Sequence, residues 1–113
     1  MANDFEVVGA VDNGRALVDA SREQNPDVIV VDIEMPLCNG LDAVRQIRRA
    51  GSKAKVIFLT IHEDPDLVSL CFEAGALAFV VKSRLASDLI PAIQLALANR
   101  TFVSPTVPRL VRS

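Results

Sequence analysis

The chain has 113 residues, half of them apolar and 23% charged, with a formal net charge of −2. That length suits one domain, and the apolar share is enough to build a core. The charge balance gives no support to a nucleic-acid-binding face, which would be basic, and no apolar run approaches the roughly 20 residues that span a bilayer.

Phe5–Val11 reads as the first strand and ends at the turn signature Asp12-Asn13-Gly14. Arg15–Gln24 has helical spacing, with Leu17, Val18 and Ser21 on one side. Asn25-Pro26-Asp27 leads into a strand, Val28–Val31, which ends at Asp32. A second helix, Leu41–Ala50, places Leu41, Val44 and Ile47 on one face, with Gly51 as its C-cap. Val56–Leu59 is a strand ending at Thr60. The helix Pro65–Ala74 groups Leu67, Leu70, Cys71 and Ala74, and Gly75 stops it. Leu77–Val81 is a strand ending at Lys82. The last helix, Asp88–Asn99, groups Leu89, Ile93, Ala96 and Leu97, with Ser87 as N-cap and Pro91 in the first turn. Residues 1–103 form one domain, and the two prolines in 104–113 mark a tail or the start of a linker.

The last three strands are continuous and rich in β-branched residues, the pattern of strands buried on both faces. Strand and helix alternate four times, which predicts an α/β fold with a doubly wound parallel sheet and right-handed crossovers. Cys38 and Cys71 lack C-x-x-C spacing and read as small reduced side chains. His62 is the only histidine, so a His-rich metal site is excluded. No basic-then-apolar leader opens the chain, and the expected location is the cytoplasm.

Asp32, Thr60 and Lys82 stand at the carboxyl ends of three successive predicted strands. In open parallel sheets the ligand crevice lies just outside those ends. A carboxylate can act as nucleophile and become an acyl phosphate. A hydroxyl can donate to a phosphoryl oxygen, and an ammonium can neutralise the charge on those oxygens. Singly, each residue is more simply a turn former, a strand Thr or a solvated Lys. Together at successive strand exits they point to phosphoryl chemistry.

Three segments carry a family resemblance: V-I-V-V-D-I-E-M-P-L-C-N-G over Val28–Gly40, V-I-F-L-T over Val56–Thr60, and A-G-A-L-A-F-V-V-K over Ala74–Lys82. In combination they resemble the receiver domain of bacterial two-component response regulators, of the type followed by a LuxR-like helix-turn-helix. The resemblance implies a flavodoxin-like fold and a signalling module rather than an enzyme. It implies that Asp32 is the phosphoacceptor, that Thr60 and Lys82 contact the phosphoryl group, and that Thr60 and Phe79 form the switch. It also implies Mg²⁺ held by Asp32 and the main-chain carbonyl of Glu34, with Met35-Pro36 and Gly40 shaping the loop. Implied partners are a sensor histidine kinase, an output domain or transcription machinery, and a second copy in a homodimer. No direct nucleic-acid binding and no membrane contact are expected.

Family members open with a further strand, an acidic pair and a helix before the segment matching Phe5–Val11. On a chain starting at Met1 these are expected to be absent, which would weaken or remove Mg²⁺ and impair phosphotransfer. A downstream start, elements exchanged in an intertwined dimer, or a shift of Phe5–Val11 that brings Asp12 beside Asp32 would each account for this. Two other functions compete with phosphoacceptance. One is a phosphorylation-independent interaction module. The other, more remote, is a phosphatase with an aspartyl nucleophile.

Overall fold

The computed structural model describes residues 13–34 and 40–108. The expected strand Phe5–Val11, Asp12, Met35-Pro36 and Cys38 lie outside the described residues. The first described element is α1, Gly14–Gln24. Its N-cap is Asn13, whose Oδ1 accepts from the Ala16 N–H at 2.8 Å. Asn25, in the left-handed conformation, ends it. The chain then alternates β1 (Val28–Asp32), α2 (Gly40–Arg49), β2 (Lys55–Thr60), α3 (Pro65–Glu73) and β3 (Ala78–Val81). A 3-10 turn at Lys82–Arg84 leads into α4 (Leu85–Leu97), and a two-residue strand, β4 (Phe102–Val103), closes the sequence of elements.

The four described strands form one sheet in the order β1-β2-β3-β4, all parallel. Successive residues of each strand face opposite sides, so continuous apolar strands need a cover on both. One layer holds Val31, Val56, Phe58 and Phe79 against Val18 of α1, Val44 and Ile47 of α2, and Cys71 of α3. The other holds Ile57, Ala78 and Val80 against Ala92, Ile93 and Ala96 of α4. This is the predicted doubly wound α/β arrangement. The interior thiol of Cys71 is pushed up to about 12 by burial, so it stays protonated and unreactive.

Sequence expectations change in α4 and α3. Helix α4 starts three residues earlier than predicted, with Arg84 rather than Ser87 at its N-cap. The 3-10 turn already sets helical direction, and Ser87 instead donates to the Arg84 carbonyl at 3.2 Å. Pro91 therefore lies inside the helix, on its exposed side, where the missing N–H deprives one carbonyl of its helical partner. Leu97 is 45% exposed because the buried stripe of α4 runs through Asp88, Ala92 and Ala96, at i, i+4 spacing, and Ile93. Leu70 on α3 is likewise exposed, since Val68 and Phe72 pack on the buried side around Cys71.

β4 was not anticipated, being two residues long and close to prolines. The packed chain continues past it. Ser104 and Val107 are buried, and Val107 joins the core layer beneath α1–α3.

Candidate functional site

The register of the sheet brings the three candidate residues together. Asp32 is level with Leu59, and Thr60 is level with Val81. The chain leaves the sheet directly after each, so Asp32, Thr60 and Lys82 share one edge. Lys82 Nζ lies 2.6 Å from Asp32 Oδ2, an ion pair with side chains 35% and 36% exposed. The other Asp32 oxygen, Oδ1, accepts from the Glu34 N–H at 2.9 Å. The nucleophile candidate is thus oriented by an ammonium and a main-chain N–H while keeping an open side.

Gly40 lies against the end of β1, where its N–H donates to the Ile33 carbonyl at 3.2 Å. A Cβ on Gly40 would sit 2.8 Å from the Asp32 carbonyl oxygen and 2.9 Å from Val31 Cγ1. The sequence suggested a special loop conformation at this glycine. What the structure requires is close approach: α2 starts against the backbone that carries Asp32.

Thr60 is fully buried. Its Oγ1 accepts from the His62 N–H at 3.1 Å and donates to Glu34 Oε2 at 3.0 Å. Glu34 Oε1 also lies 3.5 Å from the Ile61 N–H and 3.9 Å from Lys82 Nζ. The sequence pointed to Glu34 only through its main-chain carbonyl. Its carboxylate is a fourth polar group of the site, and the sole signal for it was an acidic residue two places after Asp32.

Phe79 is fully enclosed on β3, paired in register with Phe58 and Val103. Asp12, offered as a further carboxylate, lies outside the described residues. Among the described residues no group of three or more His, Cys, Asp or Glu could hold a metal ion. A hollow of about 250 Å³ lined by Arg15, Val18, Asp19, Arg22 and Gln46 includes none of the site residues. The ionic groups Asp32, Glu34 and Lys82 converge instead at the carboxyl ends of the strands.

A second polar cluster adjoins the site. Asp88 of α4 is 4% exposed. Its Oδ2 accepts from Arg84 Nε and from Ser104 Oγ, both at 2.8 Å. Its Oδ1 lies 3.2 Å from Arg84 Nη2 and 3.1 Å from Ser87 Oγ. The Arg84 guanidinium holds the Asp88 carboxyl below the usual carboxylate range, helped by Ser104 and Ser87. Ser104 Oγ accepts in turn from the Val81 N–H at 3.0 Å, one residue before Lys82.

A family model described as "Response regulator receiver domain" matches residues 2–94. The transcriptional regulatory protein DegU of Brevibacillus brevis is 34% identical over 107 residues, covering 95% of this chain and 45% of that protein. The response regulator GacA of Pseudomonas viridiflava is 31% identical over 103 residues, covering 91% and 48%. This chain therefore spans less than half the length of these relatives. A solved LuxR-family two-component response regulator from Aurantimonas sp. SI85-9A1 superposes with a TM-score of 0.86 at 32% identity, covering 91% of this chain and 74% of that one. The isolated receiver domain of RcsB from Salmonella enterica, solved with the phosphomimetic BeF3−, superposes at 0.81 with 24% identity, covering 95% and 80%, a likeness of fold.

Proposed function

The chain belongs to the response regulator receiver family of two-component systems, and from that premise we propose that Asp32 accepts a phosphoryl group. The observation that carries this reading is the pairing of Asp32 with Lys82 at 2.6 Å, with Thr60 leaving the sheet beside them. An oxygen of Asp32 attacks the phosphorus of a phosphohistidine or acyl phosphate. The bond from phosphorus to the donor breaks, and the donor leaves with its electron pair. Lys82 neutralises charge on the transferred group, and Thr60 turns its hydroxyl to one of its oxygens. Phe79, held by the same strand that leads to Lys82, is the side chain whose repacking would transmit the change toward α3, which packs on the same face of the sheet.

Mg²⁺ is compatible with this donor set, since it commonly binds through one or two carboxylates and fills its shell with waters and phosphate oxygens. Asp32 and the main-chain carbonyl of Glu34 are the proposed ligands, with Asp12 as a further candidate. When bound, it would offset negative charge on the phosphoryl oxygens. A sensor histidine kinase is the proposed donor and an output domain the proposed recipient of the signal.

The test is intact-mass measurement after incubation with acetyl phosphate and Mg²⁺. One phosphoryl group should be gained by the wild type and none by Asp32→Asn. A gain that persists in Asp32→Asn sinks the proposal.

A further inference from the structure

β4 is short, yet the chain stays on the edge of β3 beyond it. The Phe102 N–H donates to the Leu77 carbonyl and the Ser104 N–H to the Phe79 carbonyl, both at 3.0 Å. In a parallel ladder the next rung would join the Val81 N–H to the Ser104 carbonyl. That carbonyl accepts instead from the Val107 N–H at 3.1 Å, where the chain turns and buries Val107. The Ser104 side chain fills the rung: its Oγ accepts from the Val81 N–H at 3.0 Å.

Ser104 Oγ in turn donates to Asp88 Oδ2 at 2.8 Å, and the same oxygen accepts from Arg84 Nε at 2.8 Å. The 3-10 turn Lys82–Arg84 is thereby fastened at both ends to one carboxylate oxygen. Its entry is held through Val81 and Ser104, its exit through Arg84. Asp88 and Ser104 are 4% and 1% exposed, so water competes little for these bonds. Lys82 opens the turn, and the path of the turn sets where its flexible side chain starts.

On the reading that Asp32 is the phosphoacceptor, we propose that Ser104 is a positioning residue whose hydroxyl fixes the strand end carrying Lys82 and so holds the ammonium against Asp32 and the arriving phosphoryl group. The side-chain bonds of Ser104 go to Val81 and Asp88, and it acts through the main chain just before Lys82. Without the hydroxyl, the Val81 N–H loses its acceptor, and Asp88 keeps Arg84 but no longer reaches the strand. The turn can then shift and loosen the 2.6 Å contact of Lys82 with Asp32. A misplacement of about 1 Å can slow a reaction on the order of 100-fold. Residues 104–107 thereby belong to the support of the site, and drawing them off β3 would also loosen Lys82.

Two measurements compare wild type, Ser104→Ala and Ser104→Cys. The first is amine labelling with acetic anhydride, read by peptide mass spectrometry at Lys53, Lys55 and Lys82, with Asp32→Asn marking Lys82 without its ion pair. Ser104→Ala should raise labelling of Lys82 severalfold, toward the Asp32→Asn level, and leave Lys53 and Lys55 unchanged. The second is the initial rate of mass gain with acetyl phosphate and Mg²⁺. It should fall about tenfold in Ser104→Ala, with the same final gain. Ser104→Cys, close in shape with a weaker hydrogen-bonding group, should move both readouts the same way by less, and it carries the test if Ser104→Ala does not fold. Unchanged labelling of Lys82, with wild type still modified at Asp32, overturns this proposal and leaves the phosphoacceptor reading standing, whatever the rate. An unchanged or faster rate also overturns it, as does a rise spread equally over Lys53, Lys55 and Lys82, which reports general loosening. No mass gain in wild type overturns the phosphoacceptor reading, and this inference with it.

Discussion

Two carboxylate–cation pairs flank the end of β3, and they are built for opposite purposes. Asp32 and Lys82 lie 2.6 Å apart with both side chains about one-third exposed. Asp88 and Arg84 lie 2.8 Å apart, with the Asp88 side chain 6% exposed. The distances are nearly the same, so proximity does not separate them. Satisfaction does. Asp88 has both oxygens engaged from two directions each, and its surroundings leave no path for an incoming group. Among the described residues Asp32 has one partner per oxygen, and its side chain is 36% exposed. A saturated buried pair fixes structure, whereas a half-open pair can exchange a partner for a substrate. Ser104 joins the two regions, since it binds Asp88 and holds the Val81 N–H just before Lys82.

The comparison breaks if the two aspartates respond alike to substitution. The largest expected effect is on chemistry: Asp32→Asn should abolish phosphoryl uptake while changing stability by about 1 kcal/mol or less, as half-exposed ion pairs do. Asp88→Ala should do the reverse. It leaves the Ser104 hydroxyl without its acceptor and Arg84 without its partner, and should destabilise the fold by about 3 kcal/mol in urea unfolding. The fraction that remains folded should still take up phosphate.

Gly40→Ala should affect both properties. Its Cβ meets the Asp32 carbonyl oxygen at 2.8 Å, a backbone atom that can move only with the site. A loss of about 2 kcal/mol is expected from such overpacking, together with slower phosphoryl uptake. Full uptake in a destabilised Gly40→Ala would separate loop placement from chemistry.

The smallest effect is on acid stability. The folded pKa of Asp88 is depressed, chiefly by Arg84. Its contribution is therefore complete above the unfolded value of about 4 and is lost as pH falls through the lower folded value. Wild type should lose stability below about pH 4 more steeply than Asp88→Asn. Parallel pH profiles for the two proteins would contradict this.

Much of this was legible in the sequence, for physical reasons. Val28–Val31, Val56–Leu59 and Leu77–Val81 stood out because strands covered on both faces are continuously apolar. Asp32, Thr60 and Lys82 could be named because strand ends are fixed by where apolar runs stop. The start of α4 was misread because Ser87 and Pro91 fit a helix N-terminus, whereas the turn after β3 sets the helix direction earlier. β4 is too short to show a period. The Asp88–Ser104 bond joins residues 16 apart, on different elements, and the Arg84–Asp88 pair was missed because the helix was expected to begin only at Asp88. The Glu34 carboxylate was missed because its direction depends on the backbone path just after β1, which apolar patterning does not encode.

The central claim is that Asp32, and not its buried counterpart, forms the acyl phosphate. Borohydride reduces an aspartyl phosphate to homoserine, which peptide mass mapping places on the chain. After acetyl phosphate, Mg²⁺ and borohydride, homoserine should occur at position 32 and at no other aspartate. Homoserine at position 88, or a phosphoryl gain with no homoserine at position 32, would contradict the account.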